Sequence, residues 1–172
     1  MHKFSAQDTE YMRRALSLAE SAAKRGEVPV GALLVSPEGT CFEGYNLRES
    51  LKSSLAHAEI IALQRAHQSL GRWRLTDCTL YVTLEPCIMC AGAIVQARIH
   101  RLVFAAPDPK AGAVKSLYQI CTDSRLNHRV KVEGSLLAEE SSKLLIDFFR
   151  HRRNQNRLKK QSLSGNPGWE PQ

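Results

Sequence analysis

The sequence predicts an α/β protein in which a single sheet carries helices on both faces. Three observations support this prediction: an amphipathic segment at the start, five short apolar runs with strand character, and helical segments between and after these runs. The elements follow the order αββαβαβ, then β, then α, and no internal repeat is visible. Such an order covers both faces of one sheet with helices, and 172 residues are enough to form one hydrophobic core.

Glycines and a turn divide the first half of the chain into a helix, a hairpin and a second helix. Apolar residues recur at positions i, i+3 and i+4 in the helical segments, and Gly26 and Gly71 end them. The sequence Ser36-Pro37-Glu38-Gly39 is typical of a turn between two strands. The predicted elements are a helix over 5–25, strands over 28–36 and 41–45, a polar loop over 46–54 and a helix over 58–70.

The second half alternates strands and helices before a long final helix. Residues 79–84 form the most strand-like run, because β-branched and aromatic residues are frequent there, and Pro86 opens the helix that follows. The predicted elements are strands over 79–84, 101–106 and 129–133, helices over 86–97 and 136–159, and a loop over 107–122. We assign residues 1–160 to one domain and predict a disordered tail over 161–172, where Ser, Gly, Asn and Pro predominate.

The positive charge of the chain is concentrated near its end. Lysine and arginine number 24 against 17 acidic residues, which gives a net charge of +7. Positions 150–160, which we call the basic arm, hold six of the basic residues and no acidic one, so the rest of the chain carries only +1. A basic segment on a nearly neutral body predicts a polyanionic partner, since phosphate contacts release counterions and dominate such affinities. A solvated helix face is the alternative.

The sequence also indicates in which cellular compartment the protein is found. No apolar run approaches the roughly 20 residues that a membrane-spanning helix requires. Residues 1–8 become polar at once, unlike a secretion signal, so we expect a cytoplasmic protein that contacts no membrane. In that reducing compartment Cys41, Cys78 and Cys121 are expected to be small buried hydrophobic residues rather than disulfide partners.

Two short motifs at the starts of predicted helices carry metal-binding and acid–base side chains. One is His57-Ala58-Glu59 and the other is Pro86-Cys87-Ile88-Met89-Cys90. Taken alone, the two cysteines could bind zinc, form a redox pair or be there by chance. A glutamate in a first helical turn usually only complements the helix dipole. Neither motif by itself identifies a site.

Taken together, the two motifs indicate a catalytic rather than a structural zinc site. His57, Cys87 and Cys90 give three ligands, one fewer than a closed structural site requires, which leaves a fourth position for water. Glu59 would then accept the proton of that water and later donate a proton. A structural zinc module without catalysis would need a fourth ligand, and the other Cys and His residues stand at no recognised spacing to these three.

The paired motifs resemble the signature of the cytidine deaminase superfamily, His-x-Glu followed by Pro-Cys-x-x-Cys. Beyond them, roughly residues 5–153 resemble one family within it, the tRNA-specific adenosine deaminases. The positions that carry this wider resemblance are 27–32, 46, 56–60, 80–93, 108–113, 127–130 and 147–150.

The resemblance implies a three-layer αβα fold with a central five-stranded mixed sheet, assembled as a homodimer. It also implies hydrolytic deamination of adenosine to inosine at position 34, the wobble base of a tRNA anticodon, with an arginine tRNA as the expected substrate. Each subunit would hold one zinc ion through His57, Cys87 and Cys90. Glu59 would shuttle protons while the zinc-bound water attacks C6 of the flipped base.

The resemblance further assigns contacts with the anticodon loop. The flipped nucleotide would meet a pocket made of Asn46, the Ala58 amide, Pro29 and Val30. Asp108 and Lys110 would hold the loop near the target. The final helix would bring the remaining candidates close to the RNA: Phe148, Phe149, Arg150, Arg152 and Arg153.

Two features of this sequence depart from the family pattern. Pro107 and Pro109 flank Asp108, and Lys115 stands where glycine is common in the family. The two prolines should make the loop expected to touch RNA stiffer, and the lysine should give it an additional positive charge. Deamination of a free base or nucleoside, such as guanine or cytosine, is the alternative activity, because it would use the same zinc site. The basic arm and residues 108–112 favour RNA, since a small neutral substrate needs no such surface.

Overall fold

The computed structural model describes residues 4–164, which form five strands, five α-helices and one short 3-10 helix. The helices are α1 (Ala6–Lys24), α2 (Arg48–Leu51), α3 (Ala58–Leu70), α4 (Ile88–Gln96) and α5 (Ala138–Ser164). The strands are β1 (Gly31–Val35), β2 (Cys41–Tyr45), β3 (Thr79–Leu84), β4 (Arg101–Ala106) and β5 (Lys131–Gly134), and the 3-10 helix spans Ile120–Thr122.

The five strands form one mixed sheet in the order β2-β1-β3-β4-β5. β1 runs antiparallel to both β2 and β3, whereas β3 pairs with β4, and β4 with β5, in parallel. A tight hairpin can join β1 to β2, but the parallel pair β3 and β4 needs a crossover, which α4 supplies. The predicted five-stranded mixed sheet is confirmed.

Side chains alternate between the two faces of the sheet and build a hydrophobic core on each face. Leu33 and Tyr81 belong to the core beneath α1 and α5. Leu34 and Val82, one position further along the same strands, belong to the core beneath α3 and α4. Because helices cover both faces of the sheet, the predicted three-layer αβα arrangement is confirmed. None of the described helices is both long enough and apolar enough to span a membrane.

Several element boundaries differ from the prediction for identifiable reasons. β1 begins three residues later than predicted, because Val30 donates its amide to the Val28 carbonyl 2.8 Å away in a tight turn. The predicted loop over 46–54 contains α2, and β5 is displaced by one to two residues toward the C-terminus. α5 begins two residues late, because Ser135 and Leu137 adopt positive φ angles of 77° and 55° that no helix tolerates.

The end of α5 and one cysteine also differ from expectation. α5 extends five residues beyond the predicted end at 159, so residues 161–164 of the predicted tail continue the helix. The remaining tail positions, 165–172, lie outside the described residues. All five cysteines are free, and Cys78 and Cys121 are buried as predicted. The prediction is wrong for Cys41, which starts β2 beside the hairpin turn and is partly exposed.

Two glycines let helices on opposite faces approach the β1–β2 hairpin closely. A Cβ atom on Gly31 would lie 2.0 Å from the Ala15 carbonyl oxygen of α1, and one on Gly44 would lie 2.1 Å from the Ala58 carbonyl oxygen of α3. Both distances are far below van der Waals contact, so only glycine permits this packing. Because Ala58 is the first residue of α3, Gly44 sets how closely the N-terminus of α3 approaches β2.

Replacing Gly44 with alanine should push α3 away from β2. Overpacking generally destabilises a core by about 1–3 kcal/mol, so the Gly44→Ala variant should melt at a lower temperature than the parent protein. Gly92→Ala is the matched control, because a Cβ atom there meets nothing within 4 Å and alanine favours the helix α4. Thermal unfolding followed by circular dichroism compares them. Equal melting temperatures for the two variants would contradict the close packing at Gly44.

Candidate active site

Three metal-binding side chains meet at the starts of α3 and α4. His57 immediately precedes α3, Cys87 immediately precedes α4, and Cys90 lies in the first turn of α4. His57 Nδ1 is 3.7 Å from Cys87 Sγ and 3.5 Å from Cys90 Sγ, and the three ligand atoms all lie within 4.8 Å of one another. Within residues 4–164 no fourth His, Cys, Asp or Glu joins this cluster.

The donor set and its spacing fit zinc. With Zn–S distances of about 2.3 Å and Zn–N distances of about 2.0 Å, tetrahedral ligand atoms stand roughly 3.5–3.8 Å apart. The two measured nitrogen–sulfur separations fall in that range. Imidazole nitrogen and thiolate sulfur are also ligands that zinc accepts readily. A structural zinc site has four protein ligands, whereas three leave one position open for a reactant.

The two thiols of the cluster differ in acidity. A hydrogen bond from Cys90, with a further contribution from His57, lowers the pKa of Cys87 to about 3. The same hydrogen bond, together with burial, raises the pKa of Cys90. Cys87 is also the N-cap residue of α4, where the positive end of the helix dipole favours a thiolate. Zinc binding would favour the thiolate form of both cysteines, because thiolates are the metal ligands.

Glu59 is a buried carboxyl group beside this cluster. It lies in the first turn of α3, is 3% exposed, and lines the same cavity as His57 and Cys87. Burial raises the pKa of Glu59 above its ordinary value. A carboxyl group with a raised pKa next to metal ligands is suited both to accept a proton and to return it.

A cavity of about 210 Å³ opens onto the cluster. Its wall includes Val30, Ala58 and Asn46, three of the predicted pocket residues. Asn46 is 5% exposed, and its Nδ2 donates to the Val28 carbonyl 3.2 Å away, which fixes the orientation of its amide. The fourth predicted residue, Pro29, is buried and does not line the cavity. Val28 does so instead, because successive residues of an extended chain face opposite sides.

Glu85 fastens the loop over 107–117 to the end of β3. Its carboxylate is 2% exposed and accepts hydrogen bonds from the amides of Asp108, Val114, Lys115 and Ser116 and from the Ser116 hydroxyl. Burial opposes the ionisation of Glu85, but the Ser116 hydroxyl and these amides lower its pKa to about 2. A Cβ atom on Gly112 would lie 2.5 Å from this carboxyl group, so the loop packs directly on it.

The loop places Asp108 at the cavity wall and Lys110 outside it. Asp108 Oδ1 accepts hydrogen bonds from the amides of Lys110 and Ala111, at 3.0 and 3.2 Å, so part of this carboxylate stabilises the loop itself. Lys110 lines a neighbouring depression instead. Lys115, where the sequence departs from the family, does not line the cavity, and its Nζ lies 5.9 Å from the centroid of the Phe104 ring.

None of the predicted RNA-contacting residues of α5 lines the cavity. Phe149, Arg150, Arg152 and Arg153 are exposed, as is every residue of α5 from 149 to 162. Arg152 Nη2 is 3.9 Å from a carboxylate oxygen of Glu49 in α2. Since the preceding residue of α2 lines the cavity, the basic arm starts next to the cavity mouth.

Sequence reasoning missed three residues that shape the site. Arg48 lines the cavity, Glu27 is a fully buried carboxylate beneath α2, and Glu85 holds the 107–117 loop. Glu85 directly precedes Pro86-Cys87 in a segment that carries the family resemblance, so a signal for it exists in the sequence. Arg48 stands in a segment predicted to be an irregular loop, where no spacing distinguishes it from any other surface arginine.

Comparison with known proteins supports the same family. A family model described as MafB19-like deaminase matches residues 6–153. The tRNA-specific adenosine deaminases of Streptococcus pyogenes serotype M1 and Bacillus subtilis strain 168 are each 43% identical, over 90% and 92% of this chain and 90% and 98% of their own. A relative of the same name from Haemophilus influenzae is 46% identical over 91% of both chains.

Solved structures show the shared fold. One described as "Biochemical and Structural Studies of A-to-I Editing by tRNA:A34 Deaminases at the Wobble Position of Transfer RNA" has a TM-score of 0.76 and 43% identity, covering 80% of this chain and 99% of its own. A guanine deaminase from Nitrosomonas europaea has a TM-score of 0.72 at 23% identity over 86% of both chains. Identity above 40% along nine-tenths of the sequence, on this fold, shows that the protein belongs to the family of tRNA-specific adenosine deaminases.

Proposed function

We propose that the protein converts adenosine to inosine at wobble position 34 of a tRNA anticodon, in the cytoplasm and with one zinc ion per subunit. The observation that carries the proposal is the cluster of His57, Cys87 and Cys90 beside a cavity that also holds the buried Glu59. The relatives named tRNA-specific adenosine deaminases supply the substrate class. An arginine tRNA is the first substrate to test.

The reaction exchanges the amino group on C6 of adenine for oxygen: water adds, the C–N bond breaks and ammonia leaves. Zinc held by His57, Cys87 and Cys90 would supply the Lewis acidity that makes water nucleophilic at neutral pH. Glu59 accepts the proton that water loses and returns a proton to the leaving amine. Its burial keeps this carboxyl group out of bulk solvent, where its pKa would be too low to favour the return step.

The cavity wall would orient a single base. Asn46 presents an amide that its hydrogen bond to Val28 already holds in place. The Ala58 amide lies in the first turn of α3, where N–H groups lack intrahelical acceptors and can meet a polar base edge. Val30 supplies an apolar wall. About 210 Å³ suits one base rather than a base pair, so the target must leave the loop stack to enter.

The basic arm supplies the positive charge that an RNA substrate attracts. Residues 149–162 are exposed throughout and contain six basic residues and no acidic one. Extruding a base costs a few kcal/mol, and phosphate contacts on either side of the target can offset this cost. Arg152 lies beside the cavity mouth through its contact with Glu49, so the arm is placed to make those contacts.

Deamination of a free base is the second candidate function. It is favoured by a guanine deaminase from Bacillus subtilis, which is 36% identical with a TM-score of 0.55, covering 60% of this chain and 66% of its own. The metal ligands do not separate the two activities, because both need the same water and the same proton transfers. Higher identity over a larger share of the chain, together with the basic arm, favours RNA.

A homodimer is also part of the proposal. Large apolar side chains that are more than half exposed occur on and near α3 and α4: Leu55, Trp73, Ile88, Leu117 and Tyr118. A groove of about 310 Å³ between α3 and α4 is lined by Ile60, Trp73 and Ala93. A second copy of the chain would remove this apolar surface from water, which is the usual driving force for association.

Inosine formation on a short RNA tests the activity directly. The purified protein should convert adenosine 34 to inosine in the anticodon stem-loop of an arginine tRNA, and sequencing would report the product as guanosine. Free adenosine, guanine and cytosine are the comparison substrates. Ammonia release from one of these compounds, with none from the stem-loop, would contradict the proposed activity on RNA and support deamination of a free base or nucleoside.

The Glu59→Gln variant belongs in the same assay. Glutamine keeps the shape of the side chain but cannot accept a proton, so kcat should fall by at least about 100-fold. Metal analysis should still find one zinc per chain, because no ligand is changed. Glu140→Gln, a substitution at an exposed position on α5, is the matched control and should keep parental turnover. Near-normal turnover of Glu59→Gln would assign the proton transfers to another group.

Removing the first arginines of the basic arm should weaken RNA binding. Replacing Arg150, Arg152 and Arg153 with alanine should raise KM for the stem-loop and reduce the slope of log Kd against log salt by about 2–3, one unit or slightly less per lost phosphate contact. Zinc content should not change. A solvated helix face predicts the opposite result, with parental affinity at every salt concentration.

Sedimentation at micromolar concentration should give twice the chain mass. A Trp73→Glu, Ile88→Glu double variant should sediment as a monomer, because two charges would be buried without partners in the dimer. Leu158→Glu introduces one such charge at a similarly exposed apolar position of α5 and should leave the dimer intact. A monomeric parent protein would contradict the proposal.

A further inference from the structure

Arg48 is a cation at the mouth of the cavity whose side chain has no hydrogen-bond or ion-pair partner among residues 4–164. It is exposed, whereas Asn46 and Glu59 in the same cavity wall are buried, so Arg48 stands at the solvent end. Among the described residues that line the cavity, it is the only lysine or arginine. Within residues 4–164 its guanidinium group takes part in no hydrogen bond or ion pair. Its five N–H donors are therefore available to a ligand.

The short helix that carries Arg48 is held from below by Glu27. The Glu27 side chain is fully buried, and its carboxylate accepts hydrogen bonds from the amides of Glu49 and Ser50, at 3.0 and 2.7 Å, and from the Ser50 hydroxyl at 2.7 Å. Burial opposes its ionisation, but these bonds and the nearby Arg48 charge keep the pKa of Glu27 below its ordinary value. The backbone of Arg48 is thus fixed before any ligand arrives, which lowers the entropy lost on binding.

Two contacts join Arg48 to the rest of the site. Its amide donates to Asn46 Oδ1, 3.4 Å away, on the cavity wall. The next residue, Glu49, reaches Arg152 of the basic arm at 3.9 Å. Arg48 therefore stands between the cavity wall and the start of the arm.

The charges of the residues that line the cavity favour a ligand that is neutral in the interior and anionic at the mouth. Apart from His57 and Cys87 of the metal-binding cluster, the other titratable side chains that line it are the carboxyl groups of Glu59, Glu85 and Asp108. These repel an anion from the interior, whereas Arg48 attracts one at the mouth. A nucleotide within an RNA chain has this division, since its base is neutral and a phosphate lies on either side of it.

We infer that Arg48 binds a phosphate group adjacent to the nucleotide whose base enters the cavity, and that Glu27 positions it through α2. A guanidinium group matches the oxygens of a phosphate with two parallel hydrogen bonds. The inference rests on the proposed function and adds to it a contact that a free base or nucleoside lacks. Arg48 is on this account a substrate-binding residue, and Glu27 is a positioning residue.

Stem-loop binding by zinc-loaded protein carrying Glu59→Gln, which prevents turnover, tests the contact. Adding Arg48→Gln should weaken binding about 10- to 100-fold, the effect of losing a charge-assisted hydrogen-bonded pair. The slope of log Kd against log salt should fall by about 0.7–0.9, as expected for one phosphate. Arg48→Lys should keep the parental slope and recover part of the affinity. Arg13→Gln, an equal charge change at an exposed site on α1, is the matched control and should change neither.

The RNA can be altered instead of the protein. Two stem-loops would each carry one uncharged methylphosphonate linkage, on the 5′ or the 3′ side of the target adenosine. The protein that retains Arg48 should bind one of these stem-loops more weakly than unmodified RNA, by the same factor by which Arg48→Gln weakens binding. The Arg48→Gln variant should bind both modified stem-loops as tightly as it binds unmodified RNA. Inorganic phosphate that competes more strongly than chloride at equal ionic strength, without any methylphosphonate effect, would assign the free ion instead and overturn the RNA contact.

A double-mutant cycle tests the role of Glu27. Glu27→Gln should weaken RNA binding, and Arg48→Gln added to it should weaken binding further by much less than it does alone. If Glu27→Gln does not fold, Ser50→Ala enters the cycle in its place. Additive effects would remove Glu27 from the inference. A parent protein that forms no inosine overturns the proposed function, whereas inosine formation together with identical Kd and salt slope for Arg48→Gln and Arg13→Gln overturns only the Arg48 contact.

Discussion

The convergence of two helix N-termini at one end of the sheet is the constraint on which the active site depends. Gly44 allows α3 to approach β2 within backbone contact distance, and β3 leads through Pro86 directly into α4. His57 and Cys87 are consequently the N-cap residues of two neighbouring helices, and neither side chain is used for capping. Both are free to bind a metal, and the positive ends of two helix dipoles favour the anionic ligands gathered there.

The buried carboxyl groups of the protein fall into two kinds that differ in their hydrogen bonds. Asp8, Glu27 and Glu85 each accept several hydrogen bonds, and these lower their pKa values despite burial. They anchor α1, α2 and the 107–117 loop respectively. In Glu59 burial dominates and the pKa is raised. A carboxylate that is saturated with donors serves structure, whereas one that is desolvated beside metal ligands can exchange a proton.

Charge is distributed so that RNA would meet the protein at the cavity mouth. The body is nearly neutral, and carboxylates line the interior of the cavity. Positive charge lies outside it, on Arg48 and along the exposed half of α5, and the contact between Glu49 and Arg152 brings these two regions together. Such an arrangement would attract the phosphate backbone of the proposed RNA substrate to the rim and favour an uncharged base in the interior.

The sequence by itself determined the order of the strands and long helices and the alternation that buries both sheet faces. It also singled out His57, Cys87, Cys90 and Glu59 as candidates, because each of these depends on short-range spacing and side-chain chemistry. Tertiary structure alone decided which further residues line the cavity. Val28 rather than Pro29 faces it, because successive residues of the extended segment before β1 point to opposite sides. Arg48 reaches it because Glu27 accepts a hydrogen bond from the amide of Glu49, which lies 22 positions further along the chain. These outcomes depend on backbone angles and on hydrogen-bond partners that are distant in sequence, and neither can be predicted from short-range sequence patterns.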